Sequence, residues 1–147
     1  MTKKILLVCA AMGALLVSCS KEKDYSDMIV ATWDCVSIAT KITLDDGQIY
    51  DEHEIEGEEI TFFSDGVCFT NMTGHLSGNH YLIEKDYLVM INDNSSIRYK
   101  LKISSMTSDK CVLVYKEEGV NLTSYESPEP GGFTGNLVET FTLMIKE

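Results

Sequence analysis

The chain has 147 residues, of which 23 are acidic and 12 are Lys or Arg, so it carries a formal net charge of −11. A surface of that sign repels phosphates, and we therefore expect neither nucleic acid nor anionic lipid headgroups to bind the folded surface. The length suits one domain built around one hydrophobic core.

Residues 1–18 have the three parts of a secretory signal. Lys3 and Lys4 form the positive end, residues 5–17 form an apolar stretch, and Ser18 is a small residue at its end. A membrane-spanning helix is the alternative, but it needs about 20 apolar residues. The apolar stretch has 13 residues. The sequence therefore predicts a signal peptide.

The end of this segment, Leu16-Val17-Ser18-Cys19, resembles the lipobox of bacterial lipoproteins. The resemblance implies that Cys19 becomes a triacylated first residue of the mature chain, carrying diacylglycerol and palmitate. Two acyl chains already hold a protein stably on a membrane. Ordinary cleavage followed by release as a soluble protein is the alternative. Ser20 follows the cysteine, which by analogy favours an anchor in the outer membrane of the cell envelope, with the periplasmic or surface face left open.

Residues 19–27 are predicted to form a lipidated flexible tether, because residues 20–27 are polar except for Tyr25. Loss of two lysines with the signal changes the net charge from −11 to −13. Residues 42–84 contain ten acids and no Lys or Arg, so one part of the domain should be electronegative. Membrane contact should then be made by the lipid.

The rest of the chain has the pattern of short strands. Residues 98–103 alternate strictly, with Tyr99, Leu101 and Ile103 on one face. Asp65-Gly66 predicts a tight primed turn in a hairpin from Phe62 to Phe69. Further strands are predicted near residues 29–40, 47–55, 79–84, 87–92, 110–117 and 136–146.

Short polar connections between these strands predict antiparallel neighbours in up-and-down order. Eight or nine such strands should close into a small barrel, because closure removes exposed edges. The predicted fold class is therefore an all-β antiparallel up-and-down barrel.

The strands also resemble the lipocalin-like lipoprotein domains of Gram-negative bacteria. The resemblance covers residues 28–147 and rests on Ala31-Thr32-Trp33, residues 60–66, Leu113-Val114-Tyr115 and Phe141-Thr142-Leu143. It implies that Trp33 plugs the closed end of a barrel that often holds an apolar small molecule, and it does not imply catalysis. The chain departs from the pattern at Ala31, where lipocalins have Gly, and it shows no helical pattern for packing on the barrel.

A barrel of about eight strands has room for its own side chains or for one small ligand. We favour a filled or nearly filled interior, because large side chains are numerous. If there is a cavity, the residues predicted by alternation to line it are Trp33, Phe62, Phe69, Tyr99, Leu101, Tyr115 and Phe141.

Three cysteines remain once the signal is removed and Cys19 is lipidated: Cys35, Cys68 and Cys111. We expect buried free thiols, with one disulfide and one free thiol as the alternative. Their spacing does not predict a zinc site. His53, His75 and His80 show no metal or triad spacing, and a nucleophile pair of Cys68 with His75 or His80 is disfavoured. The sequence therefore predicts no enzyme, cofactor or metal.

Two segments are candidates for contacts with other molecules. In an extended chain Glu52, Glu54, Glu56 and Glu58 would point to one side, where calcium or a basic partner could relieve their repulsion. A solvated edge or loop that discourages strand-to-strand aggregation is the favoured interpretation. Residues 117–136 are too long for a hairpin turn and could overhang the barrel mouth.

These observations leave three functional classes. The first is a module that binds a small apolar or amphiphilic ligand. The second is a non-catalytic envelope protein whose acidic rim or long loop binds a protein or glycan. An enzyme ranks last, because no nucleophile, base or metal pattern is evident.

Overall fold

The computed structural model describes residues 23–121 and 134–147. Within these residues, one short helix, nine strands and one 3-10 turn, Gly74–Leu76, form the framework. The elements are α1 (Tyr25–Met28), β1 (Thr32–Leu44), β2 (Gly47–Glu54), β3 (Glu59–Phe62), β4 (Cys68–Thr70), β5 (His80–Glu84), β6 (Tyr87–Asn92), β7 (Ile97–Met106), β8 (Lys110–Asn121) and β9 (Thr134–Ile145).

The strands form a nearly closed barrel in the order β4-β3-β1-β9-β8-β7-β6-β5, and every pair is antiparallel. A single bridge between Val67 and His80 joins the two ends of this order. β1 is long enough to have two partners on one side, β3 at its start and β2 along residues 37–44. The predicted all-β antiparallel barrel of eight to nine strands is confirmed.

One end of the barrel is closed by α1 and by the start of β1. Asp24 caps α1, since its Oδ1 accepts a hydrogen bond from the Ser26 N–H at 3.0 Å. Trp33 is fully buried, and its Nε1–H donates to the carbonyl of Ile29 at 2.9 Å. Tyr25 and Met28 pack against the same core.

The described part of the predicted tether, residues 23–27, includes the start of α1. Residues 24–27 belong to a capped helical turn, which is held by the apolar contacts of Tyr25 and Met28 and not by any helical period in the sequence. Residues 1–22, including the predicted signal and Cys19, lie outside the described residues.

The barrel interior is filled by large apolar side chains. Among the completely buried residues are Trp33, Ile60, Leu88, Met90, Leu101, Leu113 and Leu143. Phe62 and Tyr81 pack edge to face, with ring centroids 4.8 Å apart. The favoured prediction of a filled interior agrees with this packing.

Phe69 is an exception to the predicted inward set, because 69% of its surface is exposed. A two-residue turn at Asp65-Gly66 would pair Phe62 with Phe69, but Phe62 pairs with Cys68. Within this turn only Gly66 has a positive φ (86°), and the Gly66 N–H donates to the Phe63 carbonyl at 3.2 Å. The hairpin is confirmed, but its turn is one residue longer than the predicted primed turn. A shift of one residue reverses the face of every later side chain.

Cys35, Cys68 and Cys111 are buried free thiols, as predicted. Burial raises the pKa of Cys35 and Cys68 to about 11 and that of Cys111 to about 12, and the charge of Glu58 adds to the rise at Cys35. These thiols stay protonated at neutral pH, whereas the thiolate is the reactive form of cysteine.

Candidate ligand-binding site

We call the end of the barrel opposite Trp33 the mouth. It is formed by β2, the second half of β1, the first half of β9 and the second half of β8. A row of polar residues crosses these four strands on the inner face. Asp51 lies opposite Thr40, Thr40 opposite Glu139, and Glu139 opposite Tyr115. Since directly opposed residues point to the same face, the row places two carboxylates, a hydroxyl and a phenol side by side.

Apolar residues flank this polar row on both sides. Towards the core, Ile38 lies opposite Phe141. Towards solvent, Ile42 lies between Ile49 and Leu137, and Ile42 and Leu137 form a small separate cluster. The inner face at the mouth is therefore amphiphilic, with one polar band between two apolar bands.

The 3-10 turn Gly74–Leu76 reaches this face and brings His75 against it. Leu76 is completely buried and fixes the turn to the core. The His75 ring stacks on the Tyr115 ring, with centroids 3.6 Å apart and planes 16° apart. The Tyr99 ring meets His75 edge-on at 4.8 Å. His75 therefore covers the two tyrosines.

His75 also makes a polar contact with the row, through its Nδ1 and the Oε2 of Glu139. Both side chains are mostly buried, with 18% and 16% of their surface exposed. The Tyr115 hydroxyl donates to Glu117 at 3.0 Å. Burial, followed by this hydrogen bond and the charges of Glu117, Tyr99 and Glu139, raises the pKa of Tyr115 to about 12. The phenol therefore remains a neutral hydrogen-bonding group.

A cavity of about 420 Å³ lies between β2 and the 3-10 turn. Its apolar wall is made by Ile38, Ile42, Ile49 and Phe141. Its polar wall is made by Thr40, Asp51, His53, Thr73, His75 and Glu139. His53 Nδ1 lies 3.5 Å from Asp51 Oδ2 at the solvent-facing side.

The predicted lining residues are separated by the structure. Phe141 lines the mouth cavity, and Tyr99 and Tyr115 lie beneath His75. Trp33, Phe62 and Leu101 belong to the filled core, and Phe69 points to solvent. The alternation Ile38-Thr40-Ile42 was the signal that could have identified the cavity wall.

The histidines and the thiol that were considered for a nucleophile pair have other contacts. Cys68 Sγ donates to the Gly78 carbonyl at 3.7 Å, and His80 Nδ1 lies 2.6 Å from Asp93 Oδ2. His75 contacts Glu139. Within residues 23–121 and 134–147, no three His, Cys, Asp or Glu side chains are grouped in a way that could hold a metal ion.

The acidic run is divided between β2 and the segment that follows it. Glu52 and Glu54 lie on β2, opposite Ala39 and Ser37 of β1. β2 ends at Glu54, and Gly57 has a φ of 77° before β3 begins. Glu56 and Glu58 therefore do not continue the side of Glu52 and Glu54, because the chain turns between the two strands.

The segment over residues 117–136 is shorter as a loop than predicted. β8 continues to Asn121 and β9 begins at Thr134, with Val120 paired to Gly135. A bulge between Glu117 and Val120 allows this ladder to continue. Residues 122–133, which include both prolines and would form the predicted overhang, lie outside the described residues.

None of the helices in the described part of the chain has the length and apolar character needed to span a membrane. Comparison with models of known protein families finds no match, and comparison with curated proteins and with solved structures finds none either.

Proposed function

We propose that this chain is a lipid-anchored, lipocalin-like protein of the cell envelope that holds a small amphiphilic molecule at the barrel mouth and catalyses no reaction. The observation that carries the proposal is the cavity of about 420 Å³ between β2 and the 3-10 turn. Pockets of roughly 300–1,000 Å³ are typical for small-molecule ligands.

The composition of the wall favours a ligand with an apolar body and a polar end. Ile38, Ile42 and Phe141 offer an apolar surface, and Glu139 and Asp51 offer hydrogen-bond acceptors. A filled core lies beneath the mouth, so the ligand would occupy the mouth and not the length of the barrel. This differs from binding deep inside the barrel, which the family resemblance led us to consider.

Filling the cavity tests the proposal. Replacing Thr40 with Trp places a large ring in the cavity, whereas replacing its neighbour Ala39 with Trp adds the same ring on the outer face, opposite Glu52. With Nile red as the probe, we expect Thr40→Trp to raise the dissociation constant about tenfold or more and Ala39→Trp to leave it unchanged. Fluorescence titration measures both.

Equal binding of Nile red by both tryptophan variants would show that the mouth cavity is not the binding site. Thermal unfolding followed by circular dichroism would confirm that both variants fold, so that lost binding reports on the cavity.

The anchor is supported by Leu16-Val17-Ser18-Cys19 and the apolar stretch before it. In cells fed an alkyne analogue of palmitate, we expect the chain to be labelled and to sediment with membranes, and Cys19→Ser to lose both properties. Stable attachment requires two acyl chains, so loss of the acceptor thiol should release the protein. Sedimentation of Cys19→Ser with the membranes would contradict the anchor.

A further inference from the structure

β2 lies at an open edge of the sheet beyond the barrel wall. It pairs with β1 along its whole length, and among residues 23–121 and 134–147 no strand pairs with its other side. All eight of its residues are exposed. An unpaired edge of this length presents a row of backbone donors and acceptors to any extended chain.

The register identifies which backbone groups are available. Just beyond β2, the Ile55 N–H donates to the Val36 carbonyl at 3.0 Å, so the odd-numbered residues of this segment bond to β1. In an antiparallel pair the alternate residues direct N–H and C=O away from the partner strand. The free groups therefore belong to Gln48, Tyr50, Glu52 and Glu54.

The two sides of this edge differ in chemistry. Glu52 and Glu54 face outward, and the Tyr50 hydroxyl donates to Glu52 at 2.7 Å on the same side. Ile49, Asp51 and His53 face inward over the mouth cavity. An added strand would therefore place one row of side chains beside carboxylates and the other row over the cavity opening.

Self-association through this edge is disfavoured by charge. Two antiparallel copies of β2 would bring together two strands that each carry three carboxylates, those of Asp51, Glu52 and Glu54, and like charges brought together destabilise a strand pair. Residues 42–84 contain no Lys or Arg, and Lys41 of β1 lies opposite Tyr50 and not opposite either glutamate. The edge fits a partner of opposite charge.

We propose that the free edge of β2 binds an extended basic segment of another protein as an additional antiparallel strand. The partner's Lys or Arg side chains lie beside Glu52 and Glu54, and its small apolar side chains lie beside Ile49. Backbone hydrogen bonds supply affinity, and the alternating side chains supply selectivity. The proposal does not depend on ligand binding in the cavity.

The probe is a capped peptide, Lys-Val-Lys-Val-Lys-Val-Lys, added to the full chain. Hydrogen exchange measured by NMR should slow by a factor of about ten or more, when peptide is bound, at the amides of Gln48, Tyr50, Glu52 and Glu54. N-methylation of the lysine amides, which would face β2, should abolish binding, whereas N-methylation of the valine amides should not.

Two results would overturn the proposal. One is strong protection of these four amides in the free protein, since the edge would then be covered by this chain or by a second copy. The other is peptide binding that leaves the four amides unprotected.

Variants of the protein provide matched controls. Glu52→Pro removes an outward N–H without removing a bond to β1, so it should abolish peptide binding. Replacing Glu52 and Glu54 with Gln should weaken binding about five- to tenfold, from the loss of two cross-strand charge pairs. Replacing Glu56 and Glu58 with Gln removes the same charge beyond the end of β2 and should have an effect of less than about twofold.

Equal weakening by the two glutamine pairs would indicate diffuse attraction and would contradict strand addition. The glutamine pairs keep the test valid if Glu52→Pro fails to fold. None of the residues changed in these variants lines the mouth cavity. Nile red binding therefore reports separately on the proposed ligand site.

Discussion

Replacing Trp33 with Ala is expected to lower the free energy of unfolding by about 3–5 kcal/mol, the usual cost of truncating a large buried aromatic residue. Trp33 is completely buried at the closed end of the barrel. Its removal leaves a cavity between α1 and the start of β1, and it leaves the Ile29 carbonyl without its indole donor. Urea unfolding followed by far-ultraviolet circular dichroism measures the loss, since Trp33 is the only tryptophan and its fluorescence disappears with the substitution.

Two further variants separate packing from hydrogen bonding at this end. Trp33→Phe keeps an aromatic ring and removes the N–H, so we expect a smaller loss of about 1–3 kcal/mol. Phe69→Ala truncates an aromatic ring that is mostly exposed, and it should change stability by only about 0.5 kcal/mol. A Trp33→Ala variant as stable as Phe69→Ala would show that the closed end does not depend on the indole.

Replacing Glu139 with Leu is expected to cost about 2–3 kcal/mol, because it leaves the mostly buried His75 without its carboxylate partner. The value lies within the usual cost, about 1–3 kcal/mol, of leaving a buried hydrogen-bonding group unpaired. The expected structural effect is local. The 3-10 turn should loosen, because stacking on Tyr115 and burial of Leu76 would be its main remaining contacts.

A double-mutant cycle with His75→Leu measures the coupling directly. We expect the sum of the two single losses in unfolding free energy to exceed the loss in the double variant by about 1 kcal/mol or more. The reason is that each single change leaves one polar group unpaired. The control is Glu117→Gln, which changes an exposed carboxylate that accepts a hydrogen bond from the Tyr115 hydroxyl. Additive losses from Glu139 and His75 would contradict a coupled pair.

Sequence periodicity was sufficient for most of the barrel and insufficient where the geometry of one turn decides the outcome. The alternation of Tyr99, Leu101 and Ile103 placed β7 correctly, because that strand has one buried and one exposed face. Asp65-Gly66 located a hairpin, but the dipeptide does not determine whether one or two residues take positive φ. Phe69 was therefore predicted to point into the barrel, whereas it points to solvent.

The short helix before β1 was missed for a different reason. Four residues have too little length for a period, and α1 is held by burial of Tyr25 and Met28 against the barrel. That contact depends on strands more than 50 residues away, such as β5, which no local pattern includes.

The mouth site was only partly predictable, because it depends on how the strands are aligned with one another. Asp51, Thr40, Glu139 and Tyr115 come from four strands, and they form one row only when the pairing of all four is known. His75 had no distinguishing spacing, since its partner Glu139 lies 64 positions away. Phe141 was predicted because a large aromatic residue in an alternating strand is recognisable without its neighbours.

The pairing of β1 with β9 has a consequence for folding. Trp33 is paired with Ile145, so this strand pair joins opposite ends of the described chain. Contacts between such distant residues form slowly, because a long loop must close before they contribute any stability. A chain interrupted during synthesis before Thr134 would leave β1 and β8 each without the strand that lies between them. Cooperative folding should therefore begin only after β9 has been made, and before that the chain should remain without a stable barrel.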